Sequence, residues 1–237
     1  ELDSVMNYPL RDAILAYLNG GTAEHFAETM ETLRENYPRA VFYNLMNIIG
    51  THDTARALTI LGVSSAEWKM NRDERAHYTL PPERLDSAKR RLRLAAVIQF
   101  TMPGSPTIYY GDEAGRQGFE DPFNRRTYPW GAEDREILAF YRRLCEIHAD
   151  SDTLAHGELR FDTGENDALL RYERTTEHSR LVVLVNRSRQ EVKTNVNALY
   201  ALDLLTNTEF DCTGGNGIEL AVPAETAYLL RCFGSAE

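Results

Sequence analysis

The 237-residue chain has a formal net charge of −10, and 43% of its residues are hydrophobic, enough for a buried core in one large or two ordinary domains. This acidic balance argues against nucleic acid as a partner, because a phosphate backbone requires a positively charged protein face. Uninterrupted apolar stretches fall short of the roughly 20 residues that span a bilayer, so a membrane partner is not expected either.

Helix and strand patterns alternate along the first part of the chain. Residues 11–18 predict a short helix, and a second helix begins after Thr22 and ends before Pro38. A buried strand is predicted from Ala40 to Ile49. The polar stretch from Gly62 to Pro82 is long enough to indicate a functional loop or a short helix of its own. The remaining elements are a helix from Ser87 to Pro103, a strand from Thr107 to Tyr110 and a helix from about Glu133 to His148.

From Gly157 onward the pattern changes to short strands separated by turn residues, which predicts an antiparallel β-sandwich. The predicted strands cover residues 158–161, 168–172, 181–185, 191–194, 201–205, 218–222 and 226–231. We therefore predict an α/β domain in residues 1–152 and an all-β domain in residues 153–237. The periodicity by itself indicates only an α/β layer in the first domain.

Polar residues follow both predicted strands of the first domain. The apolar run 44–49 ends in Gly-Thr and is followed by His52 and Asp53, while the run 105–110 leads into an acidic loop that ends with residues 121–126. Residues that follow neighbouring parallel strands meet at one edge of the sheet. His52 and Asp53 are therefore candidate active-site groups. A bare His-Asp pair is usually an exposed loop feature, but the surrounding segments favour a site.

Three segments, Asp3–Tyr8, Asn44–Arg56 and Tyr109–Trp130, resemble the α-amylase superfamily, glycoside hydrolase family 13, in their order and spacing. The resemblance is closest to neopullulanases, cyclomaltodextrinases and maltogenic amylases. It implies that residues 1–152 are about units six to eight of a (β/α)8 TIM barrel. It also implies that residues 153–237 are the antiparallel β-sandwich that follows the barrel in that family.

The resemblance implies roles for particular residues. Asp53 is similar to the third catalytic carboxylate of the family, the transition-state stabiliser that holds the sugar hydroxyls at the cleavage point. His52 is similar to the donor that binds the same ring. Asp121 and Arg125 resemble the pair that binds the next glucose unit. Their structural alternative is an ion pair that pins the loop, and both descriptions can hold together.

For other polar and aromatic residues near these segments, we expect mostly structural roles. We expect Arg56 to form a salt bridge, and Asp112–Glu113 to be structural instead of catalytic. Tyr110 and Trp130 could stack on a sugar ring, but aromatic residues near a barrel rim usually serve packing, which is the expectation here. Trp68, in the long polar stretch, is the stronger candidate for stacking.

The family's nucleophile and general acid follow barrel strands four and five, and the segments that would carry them, Gly-x-Arg-x-Asp and a strand-terminal Gly-Glu, do not occur in this sequence. We therefore expect an inactive C-terminal fragment, beginning at strand six, of a retaining α-glucan hydrolase. The expected substrate is a starch-derived α-glucan or maltooligosaccharide with α-1,4 linkages, with α-1,6 linkages as a further candidate. The alternative is a non-catalytic carbohydrate-binding or interaction protein on the same scaffold.

Metal and cofactor signals are absent from the sequence. No His-x-x-x-His or Cys-x-x-Cys spacing occurs, so neither a metal ligand nor a cofactor is predicted in this chain. The resemblance implies Ca²⁺ binding only through segments upstream of it. The open edges of a partial barrel predict self-association. A cytoplasmic location is expected.

Overall fold

A computed structural model describes residues 4–162, 164, 166–212 and 215–235, so Asp3 of the first motif lies outside the described residues. The helices are α1 (Tyr8–Leu18), α2 (Ala23–Asn36), α3 (Arg39–Phe42), α4 (Ala57–Gly62), α5 (Arg72–His77), α6 (Pro82–Thr101), α7 (Arg135–Ala149) and α8 (Asp152–His156). The strands are β1 (Met46–Asn47), β2 (Ser105–Pro106), β3 (Glu158–Phe161), β4 (Leu169–Thr175), β5 (Arg180–Asn186), β6 (Val192–Val196), β7 (Tyr200–Asp203), β8 (Glu209–Asp211), β9 (Ile218–Val222) and β10 (Thr226–Phe233).

The four long helices are confirmed where the sequence predicts them. Helix α2 begins after Thr22, whose hydroxyl accepts the His25 N–H at 3.1 Å. Helix α7 begins after Asp134, whose carboxylate accepts the Ile137 N–H at 3.0 Å. These side chains satisfy amide groups that have no partner within the first helical turn. Each described helix is too short or too polar to cross a bilayer.

Short parallel strands lie side by side in the first part of the chain. Met6 forms a parallel bridge with Met46, and Met46 pairs in turn with Ser105 of β2. Helix α1 follows the first strand position, helices α4 to α6 follow β1, and α7 follows β2. Helix α6 packs against α1, α4 and α7. This repeated strand-helix order confirms the predicted partial barrel.

Both predicted barrel strands are shorter than expected. The predicted strand Ala40–Ile49 is wrong over its first half, where Arg39–Phe42 forms helix α3 directly after Pro38. An apolar run this short fits a buried helical turn as well as a strand, so its periodicity does not separate them. The predicted strand Thr107–Tyr110 is also displaced, because the pairing with β1 ends at Pro106. Beyond it, the Gln99 side chain donates to the carbonyls of Asn47 and Thr107.

The polar stretch after α4 contains short helices, as its length predicts. A 3-10 turn covers Glu67–Lys69, and α5 begins with a capping box between Asn71 and Glu74. The carboxylate of Glu67 accepts hydrogen bonds from Arg84, Tyr78 and Ser64. The Arg84 guanidinium lowers the pKa of Glu67. This ion pair fixes the stretch against the first turn of α6.

The second part of the chain is an antiparallel β-structure, which confirms the predicted class. A larger sheet has the order β3-β4-β5-β10-β7-β8, and β6 pairs with β9 in a second sheet. Strand β5 is buried on both faces. Leu181, Val183 and Val185 belong to the core shared with the helices, whereas Val182 and Leu184 pack against the second sheet. The core crosses residue 152, and the predicted domain division there stays a prediction.

A fully buried arginine joins the two parts. Arg174 of β4 donates to the carbonyls of Thr101 at 2.7 Å, Leu154 at 2.9 Å and Gly157 at 2.9 Å. These carbonyls lie at the C-terminal ends of α6 and α8, where helix dipoles place partial negative charge. Burial lowers the pKa of Arg174 to about 10. The carbonyl groups thus compensate for the desolvation of the guanidinium.

We expect Arg174→Met to lower the free energy of unfolding by about 3 kcal/mol, because several buried carbonyls lose their donors. Arg160→Met, on the exposed face of neighbouring β3, is the matched control and should change it by less than about 0.5 kcal/mol. Urea denaturation of both variants measures the difference. Equal decreases in the free energy of unfolding for the two variants would show that the hydrogen bonds of Arg174 to these carbonyls do not stabilise the contact between the two parts of the chain.

Candidate active site

The loop after β1 brings His52 and Asp53 together. Strand β1 ends at Asn47, and residues 52–54 form a turn in which the Asp53 N–H donates to Thr51 Oγ1 at 3.2 Å. The turn removes the alternation that would point adjacent side chains to opposite faces. His52 Nε2 lies 3.1 Å from Asp53 Oδ1, and the side chains are 58% and 57% exposed. Both groups are therefore accessible to a ligand at the end of the strand.

Tyr8 contacts the same carboxylate from the neighbouring unit of the barrel. Its hydroxyl lies 3.4 Å from Asp53 Oδ2 and 3.5 Å from Thr51 Oγ1. Tyr8 is the first residue of α1, directly after the strand position of Met6. Tyr8 is not among the site residues predicted from the sequence. Its place after a strand is the same signal that identified Asp53.

The loop after β2 supplies the second pair of predicted residues. Arg125 Nε lies 2.8 Å from Asp121 Oδ1 and also donates to the His52 carbonyl at 3.2 Å. Buried Asn124 donates to the carbonyls of His52 and Thr54, both at 2.8 Å. The structure therefore brings all four predicted residues to one rim. The expected ion pair is present, whereas sugar binding by Asp121 and Arg125 stays a prediction.

A buried ion pair lies beneath the two loops, as the sequence predicts for Arg56. Arg56 Nη1 donates to Asp112 Oδ1 at 3.2 Å and to the Tyr110 carbonyl at 2.5 Å. The guanidinium carbon lies 4.2 Å from the centre of the Tyr109 ring. Glu113, the other acid expected to be structural, accepts the Gly111 N–H at 2.7 Å. The pair thus connects the loop after β1 to the loop after β2.

The Asp112 carboxylate also lies close to Gly50, in the loop after β1. A Cβ atom on Gly50 would lie 1.9 Å from Asp112 Oδ2, so a larger residue cannot occupy this position without displacement. Asp112 Oδ2 is buried and has no hydrogen-bond partner in the structure. Burial raises the pKa of Asp112 to about 6. Gly50 is therefore required by the close approach of this carboxylate.

The aromatic residues near the rim differ from expectation. Trp68 packs edge-on against buried Phe119, with ring centres 5.2 Å apart, so its contact is structural and sugar stacking there stays a prediction. Tyr110 is exposed and its hydroxyl donates to the Arg126 carbonyl. The expectation that Trp130 serves packing is wrong, because 83% of this residue is exposed. The sequence does not show this, since the exposure of one residue in an irregular loop has no periodic signal.

Within residues 4–162, 164, 166–212 and 215–235, no group of three or more His, Cys, Asp or Glu side chains is arranged to hold a metal ion.

The chain is similar to known amylase-family proteins in both of its parts. Residues 1–152 match the family described as the α-amylase catalytic domain, and residues 159–229 match the maltogenic amylase C-terminal domain. An amylopullulanase of Thermoanaerobacterium saccharolyticum is 30% identical over 96% of this chain and 19% of its own length. A cyclomaltodextrinase of a Bacillus species is 30% identical over 80% of this chain and 30% of its own length.

Solved structures show the same fold. An α-amylase from Anoxybacillus superposes with a TM-score of 0.80 at 21% identity, covering 100% of this chain and 48% of that protein. The chain spans between 11% and 19% of the length of the amylopullulanases that it matches.

Gly50→Ala tests the contact with Asp112. We expect the substitution to lower the free energy of unfolding by about 3 kcal/mol through overpacking, and by less than about 1 kcal/mol when Asp112→Ala is also present. Gly164→Ala is the control, because a Cβ there meets no atom within 4 Å. Urea denaturation of the single and double variants completes the cycle. Equal costs in both backgrounds would contradict the contact.

The raised pKa of Asp112 predicts a pH dependence. The folded value of about 6 lies above the ordinary 3.8, so the folded state binds this proton more tightly than the unfolded chain does. The contribution of Asp112 to stability is then fully present below pH 3.8 and is lost as the pH rises through 6. The stability difference between the wild type and Asp112→Asn should fall by on the order of 2 kcal/mol between pH 4 and pH 6.

Exposed Asp73→Asn is the matched control for this titration, and its difference from the wild type should stay constant over the same interval. Urea denaturation at each pH gives both differences. A wild-type minus Asp112→Asn difference that does not change with pH would mean that Asp112 titrates normally in the folded protein.

Proposed function

We propose, from the premise that this chain belongs to the α-amylase family of glycoside hydrolases, that its rim binds and distorts a glucose unit during cleavage of an α-glucan. The observation that carries the proposal is the junction of the two loops. The His52 carbonyl accepts from Arg125 and Asn124, so the His52–Asp53 pair and the Asp121–Arg125 pair form one continuous surface. The surface offers acceptors and donors to neighbouring sugar hydroxyls.

In this proposal Asp53 stabilises the transition state. Glycoside cleavage passes through an oxocarbenium-like state, in which the ring flattens and hydrogen bonds to its hydroxyls strengthen by several kcal/mol in total. An exposed carboxylate whose oxygens lie near His52 and Tyr8 is oriented for this purpose. Sugar hydroxyls donate to Asp53, and the His52 imidazole, held beside that carboxylate through Nε2, contributes a polar contact to the same ring. The contacts already present reduce the reorganisation needed on binding.

Asp121 and Arg125 are proposed to bind the next glucose unit. A carboxylate accepts from one hydroxyl, while the planar guanidinium donates to its neighbour, so the pair recognises vicinal hydroxyl groups. Their ion pair and the bond from Arg125 to the His52 carbonyl hold both side chains beside the first unit. The structural and binding descriptions of this pair are therefore compatible.

The whole protein is proposed to hydrolyse α-1,4 linkages in starch-derived oligosaccharides with retention, with α-1,6 linkages as a second candidate. The names of its relatives, amylopullulanase and cyclomaltodextrinase, support this substrate class. The present chain is proposed to be a C-terminal portion without turnover of its own, because none of its segments resembles those that carry the nucleophile and the general acid. Self-association and a cytoplasmic location stay predictions.

Asp53→Asn in the full-length enzyme tests the proposal. We expect kcat on maltooligosaccharides to fall by about 10³-fold, equivalent to about 4 kcal/mol of transition-state stabilisation, with a smaller change in KM. Asp73→Asn, an exposed carboxylate in α5, is the control and should retain wild-type kcat. Steady-state release of reducing sugar measures both variants.

Near-normal kcat for Asp53→Asn would remove this residue from the mechanism. A wild-type enzyme that binds maltooligosaccharide but releases no reducing sugar would instead support the non-catalytic alternative. Circular dichroism of each variant separates a loss of turnover from a loss of folding.

A further inference from the structure

An exposed tryptophan and a half-buried tyrosine contact each other on the segment that follows the Asp121–Arg125 loop. Trp130 is the most exposed large hydrophobic residue in the part of the chain that the structure describes, at 83%. Its ring centre lies 4.6 Å from that of Tyr128, and the two planes are inclined by 52°. Burying an indole is favourable, so full exposure of one beside a second ring indicates a surface for a ligand or partner.

The segment that carries the pair is held by hydrogen bonds. Arg116 donates to the Thr127 carbonyl at 2.9 Å, and the Trp130 N–H donates to the Tyr128 carbonyl at 3.0 Å. The Gly131 N–H donates to Glu133 Oε1 at 3.1 Å, and Gly131 has a positive φ of 78° that ends the turn. Trp130 is thus presented on an ordered turn.

We infer that Trp130 and Tyr128 form a second carbohydrate-binding surface, which binds one face of a glucose ring of an α-glucan outside the Asp53 rim. The inference takes its ligand class from the proposed function but does not depend on the role of Asp53. The C–H groups on one face of a pyranose carry partial positive charge and contact the negative face of an aromatic ring. Two inclined rings match a curved chain better than one flat ring does.

Polar groups around the pair suit a neutral, hydroxyl-rich ligand. Glu133 Oε1 accepts the Gly131 N–H, so a carboxylate that can accept from sugar hydroxyls lies on the same turn as the pair. The chain has a formal net charge of −10, so its field disfavours anionic ligands such as nucleic acid that could also stack on indole. A neutral glucan meets no such repulsion.

The position of the pair supports an extension of the rim. Trp130 lies five residues after Arg125 on the same connection, and the Tyr110 hydroxyl donates to the intervening Arg126 carbonyl at 3.1 Å. The Tyr110 ring also lies 4.9 Å from the guanidinium carbon of Arg56. Tyr110 therefore connects the segment that carries Trp130 to the buried Arg56–Asp112 ion pair beneath the rim. A glucan longer than the units held at the rim can therefore continue onto the aromatic pair.

Tryptophan fluorescence tests the inference, because the chain contains only two tryptophans, Trp68 and Trp130. The 237-residue Trp68→Phe variant, which retains only Trp130, should show a saturable emission change with maltoheptaose and none with sorbitol at equal mass concentration. The Trp130→Phe variant, which retains only Trp68, is the matched control and should not respond. Asp53→Asn added to Trp68→Phe should preserve the response.

Mobility in amylose-containing native gels gives a second measurement that needs no change at Trp68. Trp130→Ala should weaken retardation of the otherwise unaltered chain by about tenfold in apparent Kd, the scale of one lost aromatic contact. Unchanged retardation of Trp130→Ala in the gel would overturn the inference. So would the absence of a fluorescence change from Trp130, or a fluorescence change that comes only from Trp68. Loss of the Trp130 response in the Asp53→Asn background would also overturn it, since the indole would then report only on the rim.

Discussion

The buried ion pair between Arg56 and Asp112 determines how the two strand-end loops meet. Two charges removed from water are tolerated only where hydrogen bonds and close contacts compensate for desolvation. Here Arg56 also donates to the Tyr110 carbonyl and covers the Tyr109 ring, while Asp112 contacts the backbone at Gly50. The accessible carboxylate of Asp53 therefore stands on a rigid layer, which the transition-state contact proposed for it would require.

The sequence predicts the helices of this fold well and the barrel strands poorly. Helices α2 and α7 have a capping residue followed by several turns of periodic apolar positions, so independent signals agree. The paired part of β1 has only two residues, and the first part of the predicted strand instead forms helix α3, of which Phe42 is buried. Strand β5 is the opposite case, because its alternating contacts with two cores require the continuous apolar run that the sequence shows.

The candidate site divides in the same way. His52 and Asp53 are identifiable because polar residues follow a buried run, and that rule depends only on neighbours in sequence. Tyr8 shares this strand-end signal, whereas Asn124 depends on contacts with residues about 70 positions away, which no local pattern encodes. The exposure of Trp130 is also not predictable from the sequence. Aromatic residues near a barrel rim usually pack against the protein, but the backbone conformation of a single turn determines whether a particular ring is exposed.

Arg56 and Arg174 are both fully buried, but they stabilise different regions of the fold. In an α/β barrel, the C-terminal end of a helix leads to the N-terminal end of the next strand, so Thr101 of α6 lies on the face opposite the strand ends that carry Asp53. There, carbonyl groups at helix ends accept hydrogen bonds from Arg174 and compensate for its desolvation. These bonds attach the β-domain to helix α6. Arg56 is neutralised by a carboxylate on the rim side. Because different partners compensate each charge on opposite faces, the attachment of the β-domain can vary in strength without moving the loops that carry Asp53 and Asp121.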